Sequence, residues 1–311
     1  MQSMDKGLLR GLRAAVLLFC SFLPFMAGTR TARAQESFVF SFPSIPDTLT
    51  AVDARAAYLV SHYWDRASFP SALSSADNDS IEQAWVNYCD LFGLVDGAVV
   101  EHSLSTVVSE GHFPVSARIF LMSLAEKYFF DSDSPYCSDA AYLCVLKACT
   151  ACTDIDKLYQ ERYASHLRML MGCREGSVAA DFRFRADNSI SSTLYQLSSP
   201  HTLLLLYNPD CDYCRSMMNW VETNPQVASL CSDGKLLILS VNVGESAHAS
   251  TGGDGHRNWI DAHDSDANIL KSNLYDLRTL PLCLLLDADK KIVGKMATVS
   301  ELEQKLRAVL E

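Results

Sequence analysis

The sequence predicts an all-α helical domain followed by an α/β domain. Three observations predict it. Apolar residues recur at spacings of three and four from about Ile45 to Cys173, the signature of amphipathic helices. After Gly176, short and continuously apolar runs alternate with helical ones, which implies strands buried in an α/β sheet. The chain also has 311 residues, enough for two domains of about 100–200 residues each. The expected boundaries are an N-terminal segment over 1–34, a helical domain over 35–175 and an α/β domain over 176–311.

The N-terminal segment reads as an export signal. Lys6, Arg10 and Arg13 precede the apolar run Ala14–Gly28, and Ala32-Arg33-Ala34 offers a small-x-small cleavage site. The run falls short of the roughly 20 residues that span a bilayer. Cleavage after Ala34 leaves 21 Lys/Arg against 36 Asp/Glu, a net charge of −15, with ten of the eleven cysteines retained. The mature protein is therefore expected in the periplasm or cell envelope, with no transmembrane anchor, where disulfides persist. Its acidity and lack of a Lys/Arg cluster exclude nucleic acid as a partner.

In the helical half, the run Val52–Trp64 places Val52, Ala56, Leu59, Val60 and Tyr63 at helical spacing, and similar runs cover Ile81–Val95, Ala98–Val108, Val115–Phe130, Ala140–Cys149 and Ile155–Met171. Six helices follow. Asp79-Ser80 and Thr153-Asp154 are the expected N-caps of two of them. The aromatic runs Tyr63-Trp64 and Tyr128–Phe130 read as core, or alternatively as the lining of a groove for a peptide or another protein.

In the second half, Thr202–Tyr207 and Lys235–Val243 read as buried strands, and Leu282–Leu286 and Lys291–Lys295 as a hairpin turning at Asp287–Lys290. Ser300–Leu310 reads as a closing helix, with Ser300 and Glu303 as its capping box.

The chemistry concentrates at Cys211-Asp212-Tyr213-Cys214. The motif follows the strand at Tyr207 and the turn Asn208-Pro209-Asp210, and leads into a helical run. A cysteine at a helix N-terminus meets unpaired N–H groups and the positive end of the dipole. That lowers its pKa and supplies the thiolate that attacks disulfides. Cys214, one turn further on, is placed to resolve the mixed disulfide. Asp210 and Asp212 flank Cys211, and their charge disfavours the thiolate, which predicts a reductase-leaning pair.

This half resembles the thioredoxin-like superfamily, specifically the exported thiol–disulfide oxidoreductases of bacterial envelopes. Besides the Cys-x-x-Cys pair, Ala180-Asp181-Phe182 is similar to that group's opening strand, and Leu280-Pro281 stands 67 residues after Cys214 and directly before a strand. The resemblance implies that Pro281 is cis, borders the substrate groove with Asp210, Asp212 and Tyr213, and keeps metals off the thiols. The whole chain resembles a narrower bacterial family in which an uncharacterised helical domain, beginning with a segment like Ile45–Leu49, precedes a thioredoxin-like domain. Tyr207–Cys211, Leu274–Arg278 and Leu286–Lys291 fit its pattern. No role for the helical half comes with this resemblance.

Other features carry less. Cys149-x-x-Cys152 closes a helix with no strand before it and reads as structural or incidental, with a redox relay, a zinc half-site or a local disulfide as alternatives; spacing does not fix the pairing among Cys89, Cys137, Cys144, Cys149, Cys152 and Cys173. Cys231 and Cys283 read as small buried hydrophobes. His248, His256 and His263 accompany Gly252–Gly255 in an expected insertion before a helix at Trp259; the cluster lacks the Lys-Ser/Thr of a phosphate loop. The expected function is an exported thiol–disulfide oxidoreductase with no cofactor and no metal. Cys211 attacks and Cys214 resolves; the partners are disulfide- or thiol-bearing envelope proteins and an upstream thiol donor. The alternative is a non-catalytic envelope binding module with a partner-recognising helical domain.

Overall fold

Six α-helices precede the sheet in the computed structural model, which describes residues 36–109, 112–186, 191–244, 258–264 and 267–310. They are α1 (Val52–Ser61), α2 (Ser75–Cys89), α3 (Gly97–Val108), α4 (Val115–Ala125), α5 (Asp139–Ala151) and α6 (Lys157–Gly172), with a π-helical turn at Glu126–Phe130. Their apolar faces converge on one core. Tyr63, Trp64, Trp85, Tyr88 and Phe129 are all buried there, and their rings pack at aromatic distances, with Trp85 and Phe129 centroids 5.6 Å apart. Tyr63, Trp64 and Phe129 are thus core, and Tyr128 and Phe130 pack against it partly buried.

The caps differ from expectation. Helix α2 starts at Ser75 rather than after Asp79-Ser80, because Ser74 and Asp77 form a reciprocal box. The Asp77 N–H donates to Ser74 Oγ at 3.2 Å, and the Ser74 N–H donates to the Asp77 carboxylate at 2.9 Å. Asp77 is also taken by the Phe38 N–H at 2.7 Å, which pins the preceding segment. Helix α6 is capped by Asp156, not by Thr153-Asp154. Asp154 instead pairs with the buried guanidinium of Arg118. A charge that deep in the core is held by a carboxylate in preference to leaving that carboxylate as a cap.

Among the described residues, the second half forms a seven-stranded sheet in the order β2-β1-β5-β4-β3-β6-β7. The strands are β1 (Arg183–Ala186), β2 (Ser191–Thr193), β3 (His201–Tyr207), β4 (Leu236–Asn242), β5 (Trp259–His263), β6 (Leu282–Asp287) and β7 (Ile292–Met296). Pairs β3–β4 and β4–β5 are parallel and the others antiparallel. Side chains alternate across the central strand. Leu203, Leu205 and Tyr207 enter one core, beneath α7 (Asp212–Thr223), α8 (Pro225–Ser232) and α10 (Val299–Leu310). Leu204 and Leu206 enter the other, with Phe182, Phe184 and Tyr275. A four-residue helix α9 (Asn268–Lys271) precedes β6.

Three expectations are corrected here. Trp259 starts strand β5, not a helix: it pairs in register with Ile238 of β4. Ala180–Phe182 is not itself a strand; β1 begins one residue later, at Arg183. The cap of α10 is Thr298 with Glu301, two residues before the expected Ser300 and Glu303. The Glu301 N–H donates to Thr298 Oγ1 at 3.2 Å, and the Glu301 carboxylate takes the N–H groups of Ala297 and Thr298. Glu303 pairs with Arg307 instead. Residues 1–34, His248, His256 and Gly252–Gly255 lie outside the described residues, and His263 belongs to β5.

Candidate active site

Strand β3 ends at Tyr207 and its chain turns through Asn208–Asp210 into α7. The Asn208 side chain makes that turn by accepting the Asp210 N–H at 2.9 Å, and the Cys211 N–H donates to the Asn208 carbonyl at 3.1 Å. Cys211 is then the N-cap of α7, and its sulfur takes the capping position, accepting the Cys214 N–H at 3.3 Å. The open N–H groups and dipole of a helix start are thereby aimed at this sulfur.

The antiparallel register delivers the other half of the site. Leu206 of β3 faces Leu282 of β6, so the residues before Leu282 lie beside the turn after Tyr207. The Leu280–Pro281 peptide is cis, and the Leu280 carbonyl is 3.9 Å from Cys211 Sγ. Residues 69 apart in sequence thus meet at the carboxyl end of a central parallel strand, where open α/β sheets place their sites.

The two cysteines differ in environment. Cys211 is half-buried and Cys214 is fully buried, packed with Leu203, Leu205, Met217 and Cys283. Burial, with the bond to Cys211, pushes the Cys214 thiol up to about 12. Burial also opposes ionisation of Cys211, but the Cys214 side chain and the N–H groups of Cys214 and Tyr213 outweigh it and hold Cys211 below the ordinary thiol value. Asp212 works against the thiolate, as its position predicts, yet its carboxylate is paired with Arg215. Asp212 therefore reduces thiolate stabilisation without cancelling it.

Of the expected groove residues, Asp210, Asp212 and Tyr213 are exposed beside Cys211, whereas Pro281 is buried. The Tyr213 hydroxyl donates to the Ala297 carbonyl at 2.8 Å, fixing the ring toward the β7–α10 connection. Three supports were not evident from spacing. Arg215 donates to the Pro209 carbonyl at 2.7 Å and so braces the turn. Gly244 leaves room for Asn208, since a Cβ there would stand 2.9 Å from Asn208 Oδ1. Arg278 leads into the Thr279–Pro281 loop.

The remaining cysteines are free thiols among the described residues. Cys149 and Cys152 are buried in the helical core, where Cys152 Sγ donates to the Val108 carbonyl at 3.2 Å and Arg118 reaches it at 3.6 Å. Cys231 and Cys283 are buried, as expected. No group of three or more His, Cys, Asp or Glu able to hold a metal occurs among the described residues. The helical domain has a separate cavity of about 580 Å³, lined by residues that include Cys89, Phe92, Glu101, Phe129, Cys137 and Cys144.

Comparison with known proteins agrees with this architecture. A thioredoxin-like protein from Bacteroides caccae of known structure is 27% identical, covers 87% of this chain and 99% of its own, and superposes with a TM-score of 0.59. The sheet domain has a thioredoxin-like fold. The C-terminal domain of an uncharacterized Bacteroides fragilis protein is 31% identical over 44% of this chain and 99% of its own, with a TM-score of 0.41. The thioredoxin domain of a thiol-disulfide oxidoreductase from Bacteroides vulgatus is 16% identical over 44% of this chain and 99% of its own, with a TM-score of 0.36. A family model described as a domain of unknown function, DUF5106, matches residues 26–171 of this chain. No curated protein matches it.

Proposed function

We propose that the protein is an exported thiol–disulfide oxidoreductase, reductase-leaning, that works through Cys211 and Cys214. The observation that carries this reading is the asymmetry of the pair: a half-buried Cys211 at a helix N-cap, held low, and a fully buried Cys214 held high, beside a cis-proline. Cys211 thiolate attacks a substrate disulfide, one substrate sulfur leaves as a thiol, and a mixed disulfide forms. Cys214, losing its proton, attacks Cys211 Sγ, releases the second substrate thiol and leaves a Cys211–Cys214 disulfide. An upstream thiol donor returns two electrons and restores the dithiol. Substrates are disulfide-bearing envelope proteins, and the reaction calls for no cofactor or metal. Export is supported by the basic residues, apolar run and cleavage site before Gln35, and no helix of the described residues is long and apolar enough to cross a membrane.

The test is the pH profile of insulin disulfide reduction, above the background of dithiothreitol as donor. The attacking species is the thiolate, so the rate rises with pH and levels off at a midpoint below 9.0, the ordinary thiol value. Alkylation of Cys211 by iodoacetamide gives the same midpoint. Absence of turnover, or a midpoint at or above 9.0, contradicts the reading. The binding-module alternative has the helical-domain cavity in its favour, and it predicts no turnover at any pH.

A further inference from the structure

The segment Leu274–Arg278 fits a family pattern with no role attached to it. In the structure it joins the helical domain to the loop that faces Cys211. Arg278 grips Asp276 with two nitrogens, Nε to Oδ1 at 2.8 Å and Nη2 to Oδ2 at 2.7 Å, the bidentate geometry that fixes direction as well as distance. The same Nη2 donates to Asp139 Oδ1 at 2.6 Å, and Nη1 donates to the Phe130 carbonyl at 2.6 Å. The guanidinium lies 4.1 Å from the centre of the Phe130 ring. Asp139 opens α5 and Phe130 ends the π-helical turn, so these contacts cross from the sheet to the helical domain. A further crossing contact is the Asp276 N–H, which donates to Cys173 Sγ at 3.3 Å, at the end of α6.

Only Thr279, Leu280 and Pro281 separate Arg278 from strand β6, which is anchored to β3 from Leu282 onward. The loop is therefore held at both ends, and one of its two anchors is the helical domain. Burial strengthens that anchor: the Arg278 side chain is 17% exposed and that of Asp276 is 7% exposed, so solvent and salt screen the pair weakly.

We propose that the helical domain holds the Thr279–Pro281 loop against Cys211 through the Asp139–Arg278–Asp276 latch. Arg278 and Asp139 are then positioning residues of the redox site. The effect on rate rests on the redox function proposed above; the latch itself does not. A cleft of about 330 Å³, lined in part by Asp139, Arg278 and Thr279, leaves space into which the loop relaxes when the latch is cut.

Asp139→Ala in the full chain tests this. Asp139 is 47% exposed, so its removal leaves the helical core intact. Deuterium uptake of segment 277–283 is expected to quicken about ten-fold while that of β4 stays unchanged. The kcat/KM for insulin disulfides is expected to fall about ten-fold or more, since a displacement near 1 Å at a reacting centre costs up to about 100-fold. Asp139→Asn, which keeps an acceptor for Nη2, restores part of both. Unchanged uptake at 277–283, or an equal rise across β4, overturns the latch. A local rise with unchanged kcat/KM overturns its positioning role. If the unaltered protein reduces no disulfide, the redox reading fails, and uptake alone decides the latch.

Discussion

Cys211→Ser is expected to abolish disulfide reduction, a loss of at least about 1000-fold, because the hydroxyl left at the N-cap of α7 carries no thiolate. Cys214→Ser is expected to stop turnover in a different way. Cys211 still attacks, but the fully buried residue that would resolve the intermediate is gone, so mixed disulfides accumulate. Non-reducing electrophoresis of envelope extract incubated with each variant reads the contrast: adducts with Cys214→Ser, none with Cys211→Ser. The asymmetry has a structural cause. Cys211 Sγ receives the N–H of Cys214 and is half-buried at a helix start, whereas Cys214 sits fully buried among Leu203, Leu205 and Met217. Equal adducts from both variants would show that the pair is not ordered in this way.

Trp85→Ala is expected to lower the unfolding free energy by about 3–5 kcal/mol, the range for emptying an aromatic site in a packed core. Trp85 is fully buried and packs against the rings of Trp64, Tyr88 and Phe129. By contrast, Leu158→Ala removes a side chain that is 72% exposed and is expected to change stability by no more than about 0.5 kcal/mol. Urea titration followed by helical circular dichroism measures both. Similar midpoints for the two variants would contradict the placement of Trp85 at the centre of the helical core.

Much of this was legible in the sequence because the decisive signals are local. The apolar run of β3, the turn Asn208–Asp210 and the helix after Cys211 are contiguous, so the N-cap position of Cys211 followed from order alone. The cis-proline came from resemblance, since nothing in Leu280-Pro281 distinguishes it from any proline at the start of a strand. Strand β5 was missed because Asp261 interrupts its apolar pattern; its carboxylate is accommodated by the Ser240 hydroxyl and the Trp259 indole. Strand β2 was missed and β1 placed at Ala180–Phe182, just before its true start, because both are short, lie toward the edge of the sheet and carry Arg183, Arg185 and Ser192. The α2 cap was misplaced because Asp77 serves both its helix and the Phe38 N–H, 39 residues earlier. Arg278 was beyond reach for the same reason on a larger scale: Asp139 and Phe130 lie 139 and 148 residues away, and no periodicity encodes such a contact.

The measurement that tests the central claim most directly is a redox titration of the mature protein, with Cys211 and Cys214 followed by differential alkylation and mass spectrometry. The account predicts a single reversible two-electron transition of this pair near about −250 mV or below, in the range of thioredoxin. Asp212 opposes the thiolate and Cys214 stays protonated, so the reduced form gains little of the stabilisation that makes a strong oxidant. A potential near about −120 mV, that of a dedicated oxidant, or a pair that does not cycle at any poise, would contradict it.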